Sequence, residues 1–163
     1  MNTSLIRNHN ARVKPGDTVF FLGDFCFRNT PGGKEGEGET NKAEHYLSKL
    51  NGRFVFVRGN HDNNNSLRTN IRGVVLDIAN EQICCIHNPE DMPTNLNFKF
   101  VFCGHVHNLW KFKKVGSTVF INISCDVWKY MPVSYNEIMK EYNKWLKGGK
   151  KDGKGKKRDK KSK

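Results

Sequence analysis

No apolar run in this 163-residue chain approaches the roughly 20 residues a helix needs to cross a bilayer, and no signal peptide precedes the first periodic segment. Neither membrane insertion nor secretion is expected. Cysteines are few and odd in number, Cys26, Cys84, Cys85, Cys103 and Cys125, which argues against a disulfide framework. Most lie inside apolar runs and read as buried free thiols, a usage that fits a reducing cytoplasm. No Cys-x-x-Cys spacing occurs, and adjacent Cys84 and Cys85 would face opposite sides of a strand, so a thiolate zinc knuckle is excluded.

Apolar side chains are also modest in number, at 36%. Much of that shortage belongs to the C-terminal end. Residues 147–163 hold ten Lys or Arg, two Asp, four Gly and no apolar side chain. Ten basic against two acidic residues give +8 of the chain's +12, which leaves +4 on the remainder. The segment is expected to be a disordered basic tail. It lacks the aromatics that stack on bases, so a solvated end is favoured over a nucleic-acid arm. Residues 1–146 are expected to form one domain, long enough to bury a core without cross-links.

Within that domain, short apolar runs alternate with helical patterns. Residues 2–13 and 41–50 carry apolar residues at helical spacing, as does 134–146, where Ile138, Tyr142 and Trp145 share a face. Thr18-Val19-Phe20-Phe21-Leu22 reads as a strand covered on both faces. Further strands are expected at 54–57, 98–103 and 118–123, with a hairpin formed by 73–78 and 82–86. Residues 28–40, rich in glycine and charge, are expected to form a mobile loop. The pattern is α/β.

Polar residues able to do chemistry recur where these strands end. Gly23-Asp24 follows the first run, Gly59-Asn60-His61-Asp62 the second, His87 the hairpin, and Gly104-His105-Val106-His107 the strand at 98–103. Ligands in α/β sheets gather at such ends. A glycine admits close approach, an amide oxygen binds a hard cation, and an imidazole binds a metal or carries a proton. Histidines at i and i+2 of an extended segment lie about 6 to 7 Å apart on the same side, close enough for one ion or two neighbouring ones. His9, on the first helix, is expected to pack.

In order and content these four motifs resemble those of the calcineurin-like metallophosphoesterases, in particular small bacterial and phage members. The resemblance runs from residue 1 to about 140 and includes Leu50-Asn51-Gly52-Arg53 and Pro132-Val133-Ser134. It implies a β-sandwich of two mixed sheets flanked by helices, with a dinuclear metal site at the strand ends. It further implies that Asp24 bridges two metals, that Asn60, His87 and His105 complete the second, and that His107 serves the first. His61 would give a proton to the leaving group or clamp the phosphate, with Asp62 orienting it. Two cations about 3.5 to 4 Å apart would polarise a phosphate mono- or diester and activate the attacking water. Manganese, iron, zinc or nickel suits such ligands.

The family pattern opens with an Asp-x-His on its first strand, and this chain lacks that motif. The resemblance therefore implies one firmly held cation and a second weak one, and a sheet without its first strand. A misassigned start, a segment supplied by another chain or an oligomer, and a shortened protein that no longer catalyses are the alternatives. A non-catalytic subunit binding nucleic acid or a larger assembly through the basic tail is the second functional reading.

Overall fold

A computed structural model describes residues 2–26, 42–62 and 69–149. The expected loop at 28–40 and the tail beyond residue 149 lie outside the described residues. Two compact units divide the chain at Pro132.

The first unit contains two sheets. A two-stranded parallel sheet pairs β1 (Thr18–Leu22) with β2 (Arg53–Val57), Thr18 opposite Arg53 and Leu22 opposite Val57. Helix α1 (Asn2–Asn10) precedes β1, and α2 (Ala43–Leu47) lies between the two strands in sequence. Val19, Phe20 and Phe21 are half-buried, not covered on both faces as expected. In a sheet this narrow, aromatic stacking substitutes for full burial. Phe54 stacks on Phe56 at 5.4 Å between centroids, and Phe21 and Phe25 close on Phe56 at 5.8 and 5.4 Å. His9 is buried and packs as expected, its ring 5.5 Å from that of Phe54 and its Nε2 2.8 Å from the Asn51 carbonyl oxygen.

The second sheet has five strands in the order β3 (Gly73–Ile78), β4 (Glu81–Ile86), β5 (Phe100–Cys103), β7 (Thr118–Asn122), β6 (Phe112–Val115). Strands β4, β5 and β7 run parallel, with antiparallel β3 and β6 at the edges. Parallel strands need cover on both faces, and every residue of β5 is buried. Ile83, Cys85, Phe100, Phe102, Val119 and Ile121 share one face by register; Cys84, Ile86, Val101, Cys103 and Phe120 share the other. The β3–β4 hairpin closes on Ala79 and Asn80, both at positive φ (53° and 63°), the backbone that a two-residue turn needs to match strand twist. Four cysteines are buried, but Cys125 is exposed on a short 3-10 turn, contrary to the expectation of buried thiols.

The second unit contains α3 (Tyr135–Gly149). Ser134 caps it, its hydroxyl 2.9 Å from Glu137 Oε2 and accepting the Glu137 N–H at 3.4 Å. The helix takes in residues 147–149, which the sequence assigned to the tail. No described helix is long and apolar enough to cross a membrane.

Candidate metal centre

Parallel strands deliver their carboxyl ends to one edge, and the first unit uses that edge to gather its polar residues. β1 ends at Leu22, and Gly23 (φ 90°) and Asp24 (φ 57°) then turn the chain sharply. A side chain at Gly23 would sit 2.7 Å from the Gly59 Cα, and one at Gly59 would overlap the Asp24 carboxylate. Both loops thus approach at backbone distance because neither carries a Cβ there. Gly59→Ala is expected to cost about 1 to 3 kcal/mol, read as a lowered midpoint in thermal unfolding; an unchanged midpoint would mean that the loops part without penalty.

Asp62 locks this approach. Its buried carboxylate accepts the N–H of Gly59 at 2.7 Å, of Asp24 at 2.9 Å and of Phe25 at 3.2 Å. These three bonds tie the loop after β2 to the loop after β1. His61 is exposed at the rim, and its main-chain N–H donates to Asp24 Oδ1 at 2.9 Å.

Asp24, His87 and His105 present ligand atoms that all lie within 4.8 Å of one another. Asn60 joins them: its Oδ1 is 2.9 Å from His87 Nε2 and 3.0 Å from His105 Nδ1. His87 Nε2 also lies 3.2 Å from Asp24 Oδ2 and 3.2 Å from His105 Nδ1. His87 Nδ1 donates to the Leu22 carbonyl at 2.7 Å, a bond that fixes the ring and reserves Nε2 for the cluster. Two oxygens and two ring nitrogens therefore converge with more lone pairs than the few shared protons can satisfy. That donor set fits a divalent transition metal ion.

Charge follows the geometry. Burial alone would push the Asp24 carboxyl up, but the His87 hydrogen bond, the His61 N–H and the imidazole charge outweigh it and hold the group below its ordinary value. Burial likewise would lower His87, yet Asp24 and the Leu22 carbonyl hold it above the usual imidazole value. The two groups favour each other's charged forms; the Asp24 carboxylate supplies the negative charge a cation site requires, and His87 gives up its Nε2 proton when it ligates a metal.

The turn after β5 carries two histidines in left-handed backbone, His105 at φ 63° and His107 at φ 47°. His107 is not part of the three-residue group. Its side chain is 81% exposed, and Nδ1 lies 3.4 Å from Asp126 Oδ2. Asp126, on the turn Cys125–Val127, escaped the sequence reading. So did Asn122. Fully buried at the end of β7, Asn122 donates through Nδ2 to the carbonyls of His107 (2.6 Å) and Trp110 (2.7 Å) and accepts the Ser124 N–H at 2.9 Å. The Trp128 indole N–H donates to the Asn122 carbonyl at 2.8 Å. A polar residue ending an otherwise apolar strand was the available signal for Asn122.

Comparison with known proteins agrees with this architecture. The profile of the calcineurin-like phosphoesterase superfamily domain matches residues 1–124. An uncharacterised protein of Methanocaldococcus jannaschii is 34% identical over 144 residues, 86% of this chain and 74% of that protein. The crystal structure of a protein of unknown function from Aquifex aeolicus superposes with a TM-score of 0.58 at 22% identity, covering 85% of this chain and 83% of that one. Vps29 from Entamoeba histolytica, solved in complex with zinc, gives a TM-score of 0.45 at 21% identity over 76% of this chain and 64% of that one. With the profile spanning most of the folded sequence, the chain belongs to the calcineurin-like phosphoesterase superfamily.

Proposed function

We propose that this protein hydrolyses phosphate esters at a divalent-metal centre held by Asp24, Asn60, His87 and His105. The convergence of Asp24, His87 and His105 within 4.8 Å is the observation that carries the reading. A bound manganese, iron, zinc or nickel ion supplies Lewis-acid polarisation and lowers the pKa of water. The chain's own residues do the rest. Asp24 and Asn60 present oxygens, and His87 presents Nε2 because its Nδ1 is committed to Leu22. Asp62 keeps the two glycine loops closed so that these atoms stay together. His61, exposed beside Asp24, gives a proton to the departing ester oxygen.

Turnover of bis-p-nitrophenyl phosphate and a nucleotide panel by the manganese-loaded protein tests the reading. His61→Ala is expected to lower kcat by about 10² to 10⁴ while leaving metal content unchanged. Absence of turnover in the loaded wild-type protein would overturn hydrolysis. A second reading, a metal-binding subunit without catalysis, draws on the position of His107: among the described residues only one three-ligand group forms, and His107 faces Asp126 instead. One bound ion per chain without turnover would favour it.

A further inference from the structure

A groove of about 850 Å3 shares His105 with this centre, has His107 beside it in its lining, and includes Phe120, Lys113 and Val115 from one face of the five-stranded sheet. Its position follows from register. Phe120 and Val115 lie on the sheet face opposite Ile121, and Lys113 pairs with Phe120 across β6 and β7. Trp110 and Phe120 pack against the buried cluster of Ile86, Val101 and Cys103 and so are held rigidly. The opposite wall is the 3-10 turn Pro89–Asp91, fixed where Asn88 Oδ1 accepts the Glu90 N–H at 3.1 Å. Above that floor the apolar surface stays open to solvent: Leu109 is 78% exposed and Val115 is 53% exposed.

Most of this lining is apolar or flat, and it shares His105 with the metal cluster. A group bound at the centre would therefore extend its organic part directly onto it. Trp110, Phe120 and the two imidazoles give planar walls, which favour a ring over a chain because stacked or edge-to-face aromatic pairs add to area burial. Lys113 Nζ, 5.9 Å from the Trp110 ring centroid, places a cation at the rim of that platform. We propose that the groove is the subsite for a flat aromatic group on the phosphate ester, so that the substrates are aromatic esters and not alkyl phosphates. The inference rests on the phosphoesterase reading of the adjoining centre.

Calorimetric titration of the zinc-loaded protein with three non-hydrolysable phosphonates tests it without any need for turnover. Phenylphosphonate is expected to bind about tenfold or more tighter than methylphosphonate, and tighter than n-hexylphosphonate. The variant Trp110→Leu, which keeps an apolar side chain against the cluster but removes a planar wall, is expected to shrink the phenyl preference and leave the methylphosphonate Kd unchanged, with Phe120→Leu giving the same comparison should it not fold. Equal binding of phenyl and methyl compounds, or a preference that survives the loss of the planar wall, would overturn the subsite while the centre stands. Tighter binding of the hexyl compound would overturn the aromatic assignment. Failure of all three phosphonates to bind would overturn the subsite together with the reading of the centre.

Discussion

Asp24→Asn is expected to remove the metal ion and, with it, hydrolysis. Asparagine keeps the shape of the side chain and tolerates left-handed backbone better than most residues, so the φ of 57° at this position is preserved. An amide oxygen can still accept the His61 N–H that Asp24 Oδ1 takes at 2.9 Å. What disappears is the one negative charge in a cluster otherwise made of an amide and two imidazoles. Lewis-acid assistance is worth several kcal/mol, so turnover is expected to fall by about a thousandfold at ~1.4 kcal/mol per decade. Elemental analysis after gel filtration, together with phosphodiester turnover, makes the measurement. Wild-type metal content and rate in Asp24→Asn would remove Asp24 from the centre.

Asn122→Ala is expected to weaken metal binding about 10- to 100-fold, the usual cost of losing a group that orients a ligand. The amide has no contact with the cluster. It acts through the main chain, holding the carbonyls of His107 and Trp110 at 2.6 and 2.7 Å and so anchoring the turn that carries His105. The other side of that turn is tied to β4, where Gly104 N–H donates to the His87 carbonyl at 2.9 Å. With Asn122 removed, two carbonyls lose buried donors, at about 1 to 3 kcal/mol. Zinc affinity, measured by competition with a chelator at a temperature where the variant is folded, separates orientation from stability. If the unfolding midpoint falls while affinity holds, Asn122 supports the fold alone. Should the alanine variant not fold, Asn122→Ser, which keeps a hydroxyl donor, gives the same comparison.

Elements built on continuous apolar runs were legible from residue order. β1 occupies the expected span, 18–22, and β2 begins one residue before the run at 54–57, because burial rewards those runs wherever the strand finally sits. β6 was not foreseen. Its sequence, Phe-Lys-Lys-Val, reads as a charged connection, and only pairing along the free side of β7 makes it a strand. Edge strands need one partner and no buried face, so they leave a weak apolar signature. Residues 147–149 show the reverse case, glycine and lysine carried along by a helix begun and capped at Ser134.

Asp24, Asn60, His87 and His105 could be singled out because each stands next to a strand end, three of them close behind a glycine, and neighbours in sequence record that arrangement. Their convergence could not be read there. It depends on β4 and β5 lying side by side and on Gly23 and Gly59 meeting at backbone distance. The same limit explains the roles that surfaced only in three dimensions. Asp62 serves main-chain amides 37 and 38 residues away, and Asn122 serves carbonyls 12 and 15 residues upstream. Residue types and their order thus decided which strands form and which side chains can bind a cation, because both follow from local chemistry. Strand order and loop closure decided which of those side chains lie within ligand distance of one another, because hydrogen-bond and ligand distances between remote residues exist only once the chain has packed.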